Sequence, residues 1–61
     1  MPVITIRMAE GRTLEQKRIL ADEITAAVTK TFGVDPQVVT IFFEELRTES
    51  IARAGKLLSE Q

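Results

Sequence analysis

One nitrogen stands out as a proton carrier in a chain that opens "MPVITIRMAEGRTLEQKR". The 61 residues contain no His, Cys, Tyr or Trp. Among unperturbed groups this leaves only the α-amino terminus, with a pKa of about 7.7–8.0, titrating close to neutrality. A general base works best when its pKa lies near the working pH, and Asp, Glu or Lys meets that condition only when strongly shifted. Removal of Met1 ahead of the small residue Pro2 would expose a secondary amine. An apolar pocket and a nearby cation both lower the pKa of such an amine and keep it neutral. It can then take a proton from oxygen or carbon beside a carbonyl and return it elsewhere, which is enol–keto tautomerisation. An arginine nearby would hold a substrate carboxylate and steady the developing enolate. The competing account of Pro2 is structural, because a proline lacks an N–H and costs little at the first position of a strand.

The elements that would position this nitrogen follow from the pattern. Val3–Met8 is rich in β-branched residues and alternates, with Val3, Thr5 and Arg7 on one face and Ile4, Ile6 and Met8 on the other, so it reads as a strand. Residues 9–12, "AEGR", form a loop turned by Gly11. Thr13 and Gln16 have the form of a capping box. Apolar residues recurring through Leu20, Ile24, Ala27, Val28 and Phe32 predict a helix from Leu14 to Phe32, stopped by Gly33. A turn at Asp35-Pro36 leads into a second strand, "VVTIFFEEL", over 38–46. A long crossover makes the two strands parallel and the connection right-handed. Beyond Arg47 the pattern fits either a short helix or a hairpin closed by Gly55. The fold class is therefore α+β, one β-α-β domain over residues 1–61 with a short C-terminal hairpin or turn.

Size and charge narrow the classes. A chain of this length folded alone buries only about 60% of its unfolded surface. Without cysteine there are no disulfides, and without histidine or cysteine a structural zinc site has no ligand set. Oligomerisation remains the expected source of stability, and 44% apolar residues supply the surface for it. Two copies edge to edge give four strands under two helices, and the open sheet face then needs further copies. Eight basic against nine acidic residues, net −1, leave no basic footprint for nucleic acid. No apolar run approaches the ~20 residues of a membrane span, and no signal-peptide pattern is present, so a cytoplasmic location is expected.

The stretch "PVITIRMAEGRTLEQKR" resembles the 4-oxalocrotonate tautomerase family, small β-α-β subunits that use an amino-terminal proline as catalyst. "EGRTLEQK" at positions 10–17, the length, and "IFFEE" in the second strand extend the resemblance over nearly the whole chain. It implies a cofactor-free, metal-free enzyme, a homo-oligomer of hexameric form, and a small carboxylic acid as substrate, of the 2-hydroxymuconate or enolpyruvate type. It assigns Pro2 as general base and acid, and Arg12 as the carboxylate and enolate binder. The chain departs from the family at two positions. A second substrate arginine is replaced by Thr40, and an aromatic residue in the tail by Ile51. Both positions would line the pocket without catalytic roles, and Arg47 or Arg53 could supply the missing charge. The resemblance also leaves open a non-catalytic subunit of a mixed oligomer, or a decarboxylase or dehalogenase using the same proline. Phe42 and Phe43 read as core or interface, Glu44 and Glu45 as a solvated strand end or an intersubunit ion pair.

Overall fold

Alternating β-branched residues put Val3–Ala9 into the first strand, β1, with Ile4, Ile6 and Met8 half-buried and Val3, Thr5 and Arg7 exposed. The computed structural model describes all residues, 1–61. Ala9 belongs to the strand rather than to the expected loop. The Glu10 N–H donates to the Leu46 carbonyl at 2.8 Å, so the ladder runs one step further.

The helix α1 spans Leu14–Phe32, as its end signals predict. The Gln16 N–H donates to Thr13 Oγ1 at 3.1 Å and the Thr13 N–H to Gln16 Oε1 at 3.0 Å, which satisfies two of the orphan donors at the helix start. Gly33 ends it at φ 69°, a left-handed conformation that glycine adopts without a Cβ clash.

Asp35 then caps a single 3-10 turn over Pro36–Val38, its Oδ1 accepting from the Gln37 N–H at 2.8 Å. That turn withdraws Val38 from the second strand, β2, which runs Thr40–Leu46 and not from residue 38 as its apolar pattern suggests. β1 and β2 pair in parallel, from Val3 opposite Thr40 to Ala9 opposite Leu46. This register sets Ile4, Ile6, Met8, Ile41, Phe43 and Glu45 on one face of the sheet, and Val3, Thr5, Arg7, Ala9, Thr40, Phe42, Glu44 and Leu46 on the other. Each face carries an ion pair, Lys17 Nζ to Glu45 Oε2 at 3.0 Å from the helix and Arg7 Nε to Glu44 Oε1 at 2.9 Å across the strands.

The tail resolves as a hairpin. A 3-10 turn at Thr48–Ser50 precedes β3, Ala52–Arg53, which pairs antiparallel with β4, Lys56–Leu57. Ala54 and Gly55 make the two-residue connection with φ 54° and 80°. Positive φ at both central residues is the requirement of a type I′ hairpin turn. A last 3-10 turn covers Leu58–Glu60.

No residue of the isolated chain is buried. Its radius of gyration is 14.7 Å, against about 10.5 Å for a compact chain of this length. Its accessible surface is 4866 Å², against about 3,950 Å² for a compact monomer of this mass. Large apolar residues left exposed include Leu14 and Phe32 on α1 and, on the sheet face away from the helix, Val3 and Phe42, 56% and 55% exposed. No helix is long and apolar enough to cross a membrane.

Candidate active site

The four residues singled out in the sequence divide between the two ends of the β1–β2 pair. Pro2 is half-buried just ahead of β1, and its carbonyl accepts the Thr40 N–H at 3.1 Å. Pro2 and Thr40 are thus neighbours in one subunit. Met1, attached to the Pro2 nitrogen, is 88% exposed.

Arg12 stands at the other end, between Gly11 and the helix cap Thr13. It lines a hollow of about 330 Å³ whose floor is Ile6, Met8, Leu20 and Phe43, flanked by Gln16 and Lys17. Lys17 is engaged by Glu45, whereas Arg12 takes part in no ion pair. An unpaired guanidinium above an apolar floor can bind a carboxylate bidentately with little competition from protein acids. Ile51 opens on a second hollow of about 280 Å³, lined also by Arg7, Met8, Ala9, Leu46, Arg53 and Leu58. Met8 borders both hollows, so Arg12 and Ile51 flank the same strand end without sharing one concavity.

Pro2 and Ala9 are seven residues apart along an extended strand. At ~3.3 Å per residue they lie about 23 Å apart. No small acid bridges that distance, so a site containing both Pro2 and Arg12 takes them from two copies of the chain. Strand length alone carried this signal in the sequence. The flanking Gln16 and Lys17, and the place of Arg53 beside Ile51, could be found only in three dimensions. No group of three or more His, Cys, Asp or Glu side chains gathers to hold a metal ion.

The chain is thus a β-α-β unit that leaves one sheet face largely bare, with Pro2 at one strand end and the unpaired Arg12 at the other. Residues 2–61 match the family model described as tautomerase enzyme. The chain is 47% identical to the 2-hydroxymuconate tautomerase of Bacillus subtilis (strain 168) over 60 residues, covering 98% of this chain and 97% of that protein. The crystal structure of YwhB, a homologue of 4-oxalocrotonate tautomerase, superposes with a TM-score of 0.89 at 45% identity over 98% of both chains. A heterohexameric 4-oxalocrotonate tautomerase from Chloroflexus aurantiacus J-10-fl superposes with a TM-score of 0.87 at 32% identity, over 98% of this chain and 97% of that one. The chain belongs to the tautomerase family and is an enzyme of the isomerase type.

Proposed function

We propose that this enzyme ketonises 2-hydroxy-dienoate or enolpyruvate-type acids, 2-hydroxymuconate being the model substrate, with the Pro2 amine exposed by removal of Met1. The observation that carries the reading is the 47% identity, over nearly the full length, to a 2-hydroxymuconate tautomerase. The neutral Pro2 nitrogen takes the enol hydroxyl proton, the oxygen electron pair closes the C=O bond, and the conjugated double bond shifts. The prolinium then returns a proton to carbon, so the enzyme ends the cycle unchanged. Arg12 of a second copy holds the carboxylate and stabilises the charge that develops on the enol oxygen. Thr40 and Ile51 line the pocket without touching the reacting atoms. The 61 residues act as one domain in a cytoplasmic homohexamer.

The test is ultraviolet detection of 2-hydroxymuconate and phenylenolpyruvate ketonisation, using protein whose mass confirms loss of Met1. Turnover should exceed buffer, and Pro2→Ala should lower it by roughly 10²–10⁴-fold, the usual contribution of a positioned acid–base group. Absence of turnover by the processed, assembled enzyme would overturn the reading. A second reading, a partner subunit of a mixed oligomer, draws on the similarity to a heterohexameric tautomerase and on the uncharged Thr40. It predicts that the chain expressed alone forms no stable homo-oligomer by native mass measurement.

A further inference from the structure

We propose that the hollow beneath Arg12 makes the enzyme selective for monocarboxylic enol acids with an apolar body, an arylenolpyruvate being the type, and that Leu20 and Phe43 set this selectivity. The inference rests on the tautomerase reading and narrows its substrate class.

The first support is that the hollow has a polar end and an apolar end. On its helix side, Gln16 and Leu20 stand four residues apart on α1, so they share one face with roughly 5–6 Å between their Cβ atoms. Gln16 lies at the end nearer Arg12, because it closes the cap on Thr13, the residue that follows Arg12. Leu20 lies one turn further in. On the sheet side, Met8 is the lining residue nearest the Arg12 loop. Ile6 lies two residues back along β1, about 6.6 Å away, directly opposite Phe43 of β2. Arg12 and Gln16 thus mark one end, and Leu20, Ile6 and Phe43 the other.

The second support is the placement of charge. Two cations line the hollow, Arg12 and Lys17. Lys17 is held by Glu45 at 3.0 Å, which leaves Arg12 as the one cation there free for a ligand anion. A monocarboxylate held by Arg12 can lay its carbon body on the apolar end. A second carboxylate reaching that end would leave water without a partner, and an unpaired charge is costly to bury. A ring in the same place gains an aromatic contact with Phe43. Leu20, 40% exposed, has apolar surface left to cover. The enol carbons, next to the carboxylate, then stay at the rim, where Pro2 of another copy would reach them.

The experiment pairs a rate with a binding measurement. In the processed wild-type oligomer, kcat/KM should be higher for phenylenolpyruvate than for 2-hydroxymuconate. Calorimetric titration uses cinnamate as the aryl monocarboxylate and muconate as the dicarboxylate. Leu20→Ala should lower phenylenolpyruvate kcat/KM and cinnamate affinity by roughly tenfold, the scale of a lost apolar pocket contact, and leave the two dicarboxylates within about twofold. Phe43→Leu should move the same ratios by less, because it removes the ring and keeps an apolar side chain. Ile19→Ala, on α1 but outside the hollow, should change none of them. A variant that merely loosens the fold lowers both classes together, so the ratio between them is the readout. Should Leu20→Ala fail to assemble, Leu20→Val gives the same comparison. Wild-type enzyme that favours 2-hydroxymuconate, or a Leu20 variant that weakens both classes equally or neither, overturns the inference while the tautomerase reading stands. Wild-type enzyme that ketonises neither acid, yet binds cinnamate in a Leu20-dependent way, overturns the tautomerase reading while the assignment of the hollow stands.

Discussion

At Ala54 the backbone adopts φ 54°, a region that costs a residue with a Cβ about 1–2 kcal/mol. Gly55 meets the same demand at φ 80° without that cost. The hairpin thus holds together one residue suited to its turn and one that is not. Ala54→Gly should relieve the strain and give back part of the gain as unfolded-chain entropy. The net expectation is an oligomer more stable by about 0.5–1 kcal/mol, read as a higher denaturant midpoint at fixed protein concentration. Ala52→Gly, in the adjoining strand, should move the midpoint the other way. Pro2 and Arg12 are proposed at this scale because the chain offers so few alternative groups and because of the motif around Arg12. The positive φ of Ala54 was hidden, since alanine carries no signal for a left-handed turn. That is why the sequence left helix and hairpin equally open beyond Arg47.

Elements were legible wherever a local hydrogen bond marks their ends. The bounds of α1 could be read from Thr13, Gln16 and Gly33 because the capping box and the left-handed stop are short-range devices. The start of β2 was misread because Val38 and Val39 look like strand residues. The Asp35 side chain instead captures the Gln37 N–H and winds a turn, a competition between side-chain capping and the ladder that apolar patterning does not register. The cap of α1 also bears on the site, since Thr13 follows Arg12 directly. Thr13→Ala should destabilise the assembled enzyme by about 1 kcal/mol, the usual cost of losing such a cap. Because the loop carrying Arg12 loses its anchor, KM for the carboxylate substrate should rise while kcat for bound substrate falls less. Steady-state kinetics beside a denaturant titration checks both. Thr13→Ser, which keeps the hydroxyl, should restore them.

In the whole molecule, the missing core and the proposed division of the site would have the same origin. A two-stranded sheet with one helix cannot cover both of its faces, and the chain leaves every residue at least partly exposed. Copies that cover the bare face around Val3 and Phe42 can also bring the Pro2 end of one chain to the Arg12 end of another. Burial and catalysis would then depend on the same contacts. Apolar content points to further copies, but it does not say which ends meet, because that depends on a register between chains. The proposed division of the site makes a prediction that no single-chain arrangement shares. Pro2→Ala and Arg12→Ala homo-oligomers should each be nearly inactive. When equal amounts are unfolded together and reassembled, a site is intact if its proline comes from an Arg12→Ala chain and its arginine from a Pro2→Ala chain. Each condition holds for half of the chains, so about a quarter of the sites, and about a quarter of wild-type kcat per chain, should return if the subunits mix freely within a closed oligomer. Native mass spectra of the mixture would confirm that mixed species had formed. Recovery near a quarter would establish a site shared between copies. Mixed oligomers without recovery would place Pro2 and its arginine within a single chain, against the length of β1, or would remove one of the two from catalysis.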